Sequence, residues 1–241
     1  MFPPASLPTP NELLLITDQL ASPADFLLHR FVSSHLKQSK NPRCLIVSLS
    51  ETLTRWKVLA GKANINLTHY ISSGSVRMID SRSLPQARPN GQGARLKPLY
   101  DLVFVELQSF AAESTGSLVV LDDVALLEWT GFSPEEITRF VRALFAACRK
   151  VSASLVIRHH ITTPGDLEEL TRSLLQLCTH HLEVLPLSSG RSGSVTGEVA
   201  LHPGPGSAPH YKPVPRSAAV QYRLTDTSCI FFERGTGNNV L

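Results

Sequence analysis

Short apolar runs, typical of strands buried on both faces, recur along the first 160 residues of the chain. Each run is five or six residues long and is followed by a longer segment with apolar residues at every third or fourth position. This alternation predicts an α/β fold with a mainly parallel sheet and helices on both of its faces. The predicted strands are 12–17, 44–49, 76–80, 118–123 and 154–158.

The segments between these runs carry the end signals of helices. Ser22, Pro23 and Asp25 predict a helix with a hydroxyl cap, a proline at its first position and an acid in its first turn. Ser133 and Glu136 have the spacing of a capping box. The predicted helices are 22–36, 51–63, 96–110, 133–148 and 166–178.

The pattern changes after residue 181, where the helical period is lost. The segments 183–187, 195–202 and 220–232 are short and β-rich, and they predict an antiparallel C-terminal extension at one edge of the sheet. Repeated prolines in 203–215 and a Pro, Gly and Arg-rich composition in 82–95 predict two flexible loops. A length of 241 residues suits one domain that spans residues 1–241.

Composition narrows the possible environments of the chain. A net charge of +3 and a pI of about 8.7 permit a polyanionic partner without requiring one. No apolar run approaches the roughly 18 residues of a membrane helix, and the N-terminal sequence lacks the layout of a secretory signal, so no membrane association is expected. Cys44, Cys148, Cys178 and Cys229 are far apart and are interpreted as small hydrophobic residues in a reducing compartment. We expect a cytoplasmic protein, with the nucleus as a further location.

The segment between the first strand and the first helix is where an NTPase of this architecture carries its phosphate-binding loop. That loop needs glycines, whose backbone N–H groups wrap the phosphates, and a lysine. Residues 17–25 contain neither, and Pro23 removes one N–H donor. Asp18 and Asp25 place negative charge where a triphosphate would bind, which costs roughly 1–4 kcal/mol per close pair of like charges. We therefore predict no nucleotide at this position, no cofactor and no enzymatic activity.

Other chemical motifs are weak. Asp122 and Asp123 follow an apolar strand, as in a degenerate Walker B motif, although a strand that ends in Asp is common in α/β folds. The pairs His159-His160 and His180-His181 cannot readily chelate one metal, because neighbours on a strand point to opposite faces. No serine lies in a G-x-S-x-G motif. We assign no catalytic residue and no metal ligand.

Positive charge is concentrated in the two predicted loops and next to them. No acid lies between Asp80 and Asp101 or between Glu198 and Asp226, although both stretches contain several arginines and lysines. Flexible cationic loops suit phosphate backbones, and solvated surface loops are the alternative interpretation. The candidate RNA-binding residues are Arg82, Arg88, Arg95, Lys97, Lys212, Arg216 and Arg223.

The order of several short segments resembles one known family. The matching segments are His29-Arg30-Phe31, Leu96-Lys97-Pro98-Leu99-Tyr100, 118–123, 221–226, 231–235 and 239–241. In this order they are similar to the sixth subunit of the Elongator complex, a family with a RecA-like fold. The resemblance covers nearly the whole chain, although 82–95 and 187–219 match poorly. No single segment is diagnostic.

The resemblance implies a non-catalytic subunit of a hetero-hexameric ring, built with the fourth and fifth Elongator subunits. It also implies that the ring binds tRNA and supports modification of the wobble uridine (U34), while the catalytic Elongator subcomplex performs the chemistry. The family generally lacks a working Walker A loop, and it brings no catalytic residue to this sequence. Two alternatives stay open, an active RecA-like ATPase of DNA recombination and an assembly scaffold without RNA contact.

Overall fold

One mixed sheet of nine strands forms the centre of the chain. We describe a computed structural model over residues 2–80, 96–111, 116–163, 165–166, 168–190, 192–205 and 213–234. The strands, in chain order, are β1 (Leu13–Gln19), β2 (Cys44–Ser48), β3 (Val76–Asp80), β4 (Leu118–Asp122), β5 (Ser154–Ile161), β6 (His180–Leu185), β7 (Gly197–Pro203), β8 (Val220–Leu224) and β9 (Cys229–Phe232). Their order across the sheet is β3-β2-β4-β5-β1-β6-β7-β8-β9.

Helices cover both faces of the parallel part of this sheet, as the alternation predicted. They are α1 (Asp25–Gln38), α2 (Leu53–Lys62), α3 (Leu67–Ser72), α4 (Lys97–Ala111), α5 (Ala125–Trp129), α6 (Pro134–Lys150) and α7 (Glu169–Leu177). Strand side chains alternate between two apolar cores. One core packs beneath α1, α2 and α3, and the other packs beneath α4, α6 and α7. Strands β1, β2 and β4 are almost wholly buried because both faces are covered.

The C-terminal part of the sheet departs from the prediction in two ways. Strand β6 was predicted to be antiparallel, yet it pairs parallel with β1 and antiparallel only with β7. The reason is that α7 crosses over between β5 and β6, and such a crossover returns the chain in the same direction. The segment predicted as one strand over 220–232 is a hairpin of β8 and β9, closed by a bond from the Thr225 backbone N–H to the Ser228 carbonyl.

Two short helices, α3 and α5, were not predicted. Helix α3 has six residues and α5 has five, too few for an apolar period to be visible. The amide oxygen of Asn66 caps α3 by accepting a hydrogen bond from the His69 backbone N–H. The loop predicted over 82–95 lies outside the described residues, as does the central part of the loop predicted over 203–215.

The predicted helix caps are only partly correct. Ser133 does cap α6, because its hydroxyl accepts a hydrogen bond from the Glu136 backbone N–H at 3.3 Å. The Glu136 carboxylate accepts from the Leu96 backbone N–H at 2.8 Å, instead of from the Ser133 backbone N–H that a capping box would use. Helix α1 begins at Asp25, so Ser22 is not its cap and Pro23 precedes it. The physical reason is a competing acceptor, because the Asp18 carboxylate takes the Ala24 backbone N–H at 2.6 Å.

Candidate functional site

A cluster of charged side chains lies at the carboxyl ends of β1, β4 and β5, the edge where open α/β sheets bind ligands. Asp18, Asp122 and Arg158 occupy the same alternating positions as the apolar residues that pack beneath α1, so their side chains project from that face. Arg158 is central, because β5 lies between β4 and β1 in the sheet. The cluster was not predicted from the sequence.

The guanidinium group of Arg158 contacts three carboxylates. Its Nε and one terminal nitrogen lie 3.0 and 2.8 Å from Asp18 Oδ2, and the same terminal nitrogen lies 3.1 Å from Asp25 Oδ1. Its other terminal nitrogen lies 3.3 Å from Asp122 Oδ1. The Arg158 side chain is only 9% exposed, and those of Asp18 and Asp122 are 0% and 2% exposed. The ion pairs with Asp18 and Asp122 are therefore largely removed from water, whereas the Asp25 side chain is 33% exposed.

Asp18 links β1, α1 and β5. Besides Arg158, it accepts the Ala24 backbone N–H, the amide just before α1. Its other oxygen lies 3.0 Å from His160 Nδ1, and this hydrogen bond raises the pKa of His160 above its ordinary value. The N–H that a phosphate would need at the start of α1 is thus already bonded within the protein.

The two acids of the predicted Walker B position have different roles. Asp122 Oδ2 accepts hydrogen bonds from the hydroxyls of Ser48 and Ser50 at 3.0 and 2.7 Å. Asp123 Oδ1 accepts the backbone N–H groups of Ala125 and His160, both at 3.2 Å, and burial raises its pKa. Asp123 therefore fastens the turn after β4 to β5, while Asp122 belongs to the Arg158 cluster.

The carboxylates of the cluster outnumber its guanidinium group. Three carboxylates surround one guanidinium, and the neighbouring His29 adds no charge near neutral pH because burial lowers its pKa to about 4. A buried arginine is held here by internal acids instead of by a ligand's phosphate. The arrangement joins β1, β4, β5 and α1 through buried ion pairs and hydrogen bonds.

Three of the candidate RNA-binding residues, Lys97, Arg216 and Arg223, lie in the described part of the chain. Lys97 begins α4 and lies 2.6 Å from Asp101, with both side chains largely exposed. Arg223 lies on β8, which belongs to the antiparallel part of the sheet. Arg82, Arg88, Arg95 and Lys212 lie outside the described residues.

Arg216 already has an acidic partner. Its Nε lies 3.0 Å from Glu198 Oε2, its terminal nitrogen donates to the Pro186 carbonyl, and Arg234 contacts the other oxygen of Glu198. The Glu198 side chain is only 1% exposed. Although burial alone would raise the pKa of Glu198, its two arginine partners hold it below the ordinary value. This arrangement attaches the segment before β8 and the chain after β9 to β7.

The two members of the His159-His160 pair point to opposite faces of β5, as predicted. His159 Nε2 lies 2.8 Å from Thr171 Oγ1 on α7, whereas His160 contacts Asp18 on the α1 side. His181 Nε2 lies 2.7 Å from Thr17 Oγ1, and burial lowers the pKa of both His159 and His181 to about 4. Within the described ranges, no three His, Cys, Asp or Glu side chains are placed to hold a metal ion.

Strand order and the position of the crevice define a RecA-like α/β protein. Residues 4–226 match the family described as Elongation complex protein 6. Elongator complex protein 6 from Xenopus tropicalis is 28% identical over 236 residues, covering 90% of this chain and 88% of that protein. The chain therefore belongs to the Elongation complex protein 6 family. Of the helices in the described residues, none has the length and apolar composition to cross a membrane.

Proposed function

We propose that the chain is a non-catalytic subunit of an Elongator complex. In this proposal it forms a RecA-like hetero-hexameric ring with the fourth and fifth Elongator subunits, and the ring binds tRNA and supports modification of the wobble uridine by the catalytic subcomplex. Membership of the family supports the assignment to the complex. The observation that carries the non-catalytic role is the Arg158 cluster.

The cluster argues against nucleotide binding by this chain. A bound triphosphate would need cationic groups and N–H donors at the end of β1, where Arg158 is already neutralised by Asp18 and Asp122 and the Ala24 N–H is already bonded. Releasing Arg158 toward a phosphate would leave buried carboxylates unpaired, a loss of about 3–5 kcal/mol. The crevice therefore favours a structural role over an ATPase role.

Exposed apolar side chains support assembly with other subunits. Leu20, Val105 and Trp129 are 86%, 66% and 64% exposed. Large apolar groups at the surface favour burial against a partner. We expect the isolated chain to associate or to be poorly soluble, and to be retained by its partners in extracts.

Two measurements test the proposal. Calorimetry of the isolated chain with Mg·ATP is expected to show no binding, and micromolar affinity would contradict the non-catalytic assignment. Affinity purification from cells, followed by mass spectrometry, is expected to recover the other Elongator subunits. An ideal monomer in sedimentation that retains none of those subunits would refute the assembly.

A further inference from the structure

Helix α6 presents a basic face that the loop-based assignment of RNA contacts does not include. Its apolar residues, among them Ile137, Val141 and Leu144, are buried against the sheet. The opposite face of the helix is exposed. At 3.6 residues per turn, the exposed residues of α6 lie within an arc of roughly 100° around the helix axis. We define the basic face of α6 as the exposed side chains of Arg139, Arg142, Arg149 and Lys150.

The charge of this face is concentrated toward the C-terminal half of α6. A hydrogen bond from Ser133 and, to a smaller extent, the charge of Arg139 one turn away lower the pKa of Glu135. Among the described residues, Arg142, Arg149 and Lys150 form no ion pair with an acid. These three span about 12 Å along the helix axis at 1.5 Å per residue.

Stabilisation of the helix dipole accounts for only part of this pattern. Cations in the last turn, such as Arg149 and Lys150, stabilise a helix by favourable interaction with its C-terminal carbonyl groups. Arg142 lies about two turns before the end, beyond the reach of that effect. The Arg149 guanidinium lies 6.0 Å from the Phe145 ring centroid and remains exposed, so it is positioned at the surface without being neutralised.

We infer that the basic face of α6 binds the phosphate backbone of RNA. Arginine matches phosphate geometry with paired N–H donors, and two of the three unpaired cations are arginines. The one uncharged residue among them, Ala146, is too small to anchor a protein interface or to insert into a lipid surface. A linear array of charge without an apolar centre suits a polyanion. The inference rests on the proposed function, since it locates a tRNA contact for the ring.

The test compares tRNA binding by the purified assembly over a salt series. One assembly carries Arg142→Ala, Arg149→Ala and Lys150→Ala in this chain. Its matched control carries Lys40→Ala, Lys57→Ala and Lys62→Ala, which remove the same charge on or next to α1 and α2, on the opposite face of the sheet. With the α6 variant, we expect the slope of log affinity against log salt to flatten by about 2–3, at roughly 0.7–0.9 per lost contact.

Affinity at low salt should fall by at least about tenfold in the α6 variant and should be nearly unchanged in the control. An equal loss in both variants would reduce the effect to net charge and overturn the inference. Unchanged binding by the α6 variant would also overturn it while the proposed function stands. Loss of a partner subunit from the variant assembly would assign the face to a protein contact. Failure of the wild-type assembly to bind tRNA would refute the proposed function and this inference together.

Discussion

Replacing Arg158 tests whether the charged cluster stabilises the fold. Methionine at this position keeps most of the apolar volume but leaves Asp18 and Asp122 buried without their counter-charge. Removing one partner from a buried ion pair costs about 3–5 kcal/mol, because the remaining charge stays desolvated. The total stability of a domain is roughly 5–15 kcal/mol, so Arg158→Met should be strongly destabilised. Its unfolding transition should still be measurable at low temperature.

The matched control is Arg77→Met. Arg77 lies 3.4 Å from Glu106, and the two side chains are 48% and 30% exposed, so water screens the pair. An exposed pair of this kind contributes about 0–1 kcal/mol. Arg158→Lys should recover part of the lost stability, because the ammonium keeps the charge but cannot match the planar fork that reaches three carboxylates.

Urea unfolding followed by tryptophan fluorescence is a suitable assay. Trp56 is buried, and its Nε1 donates a hydrogen bond to Ser48 Oγ at 3.1 Å. The same Ser48 hydroxyl donates to Asp122, so the fluorescence of Trp56 reports on the neighbourhood of the cluster. Trp129, the other tryptophan of the chain, is already 64% exposed in the folded state. If Arg158→Met and Arg77→Met lose the same free energy of unfolding, within about 1 kcal/mol, the cluster is not the stabilising element described above.

Three further perturbations test other parts of the fold. Burial lowers the pKa of His159 to about 4, so the unfolded chain binds the proton first below about pH 6.5 and stability is lost between pH 6.5 and 4. In urea titrations, His159→Gln should reduce the loss of stability between pH 7 and 5 by roughly 1–2 kcal/mol, and an unchanged pH dependence would contradict this assignment. Glu198→Gln should lower the free energy of unfolding by about 1–3 kcal/mol, because the ion pairs of Glu198 with Arg216 and Arg234 are lost. An unchanged free energy of unfolding would show that these two ion pairs do not stabilise the fold. A Cβ on Gly204 would lie 2.1 Å from the Cys178 carbonyl oxygen, so Gly204→Ala should lower the melting temperature. Gly61 lies in α2 with open space around it, so Gly61→Ala should raise the free energy of unfolding by roughly 0.5–1 kcal/mol. Equal melting temperatures for the two variants would contradict the close packing at Gly204.

The alternation of strands and helices was predictable because it depends on apolar periodicity, which is local in the sequence. The Arg158 cluster was not, since Arg158 and Asp18 are 140 positions apart and meet only because β5 pairs with β1. One signal was available: Arg158 is a charged residue that directly follows a fully apolar stretch of strand, and such a charge needs a partner when buried. The direction of β6 was missed because strand composition does not reveal which neighbour a strand pairs with.

The basic face of α6 could have been predicted from the sequence. Once Ile137, Val141 and Leu144 are assigned to the core, the opposite positions follow from the helical period, and four of the six exposed ones are Arg or Lys. The two cationic stretches that the sequence predicted contain no acids, whereas α6 begins with Glu135 and Glu136. Charge sorted by helix face carries more information here than charge sorted by position along the chain.

The Arg158 cluster also bears on where the function of such a fold can lie. An active nucleotide site keeps N–H groups and a cation free, so that the ligand supplies the neutralising charge and binding stabilises the folded state. Here β5 supplies the cation through Arg158, and Asp18 takes the free N–H before α1. Both groups are therefore already paired within the chain, without a ligand. The proposed function therefore assigns the contacts with partners to the outer surfaces, where the exposed apolar residues and the basic face of α6 lie.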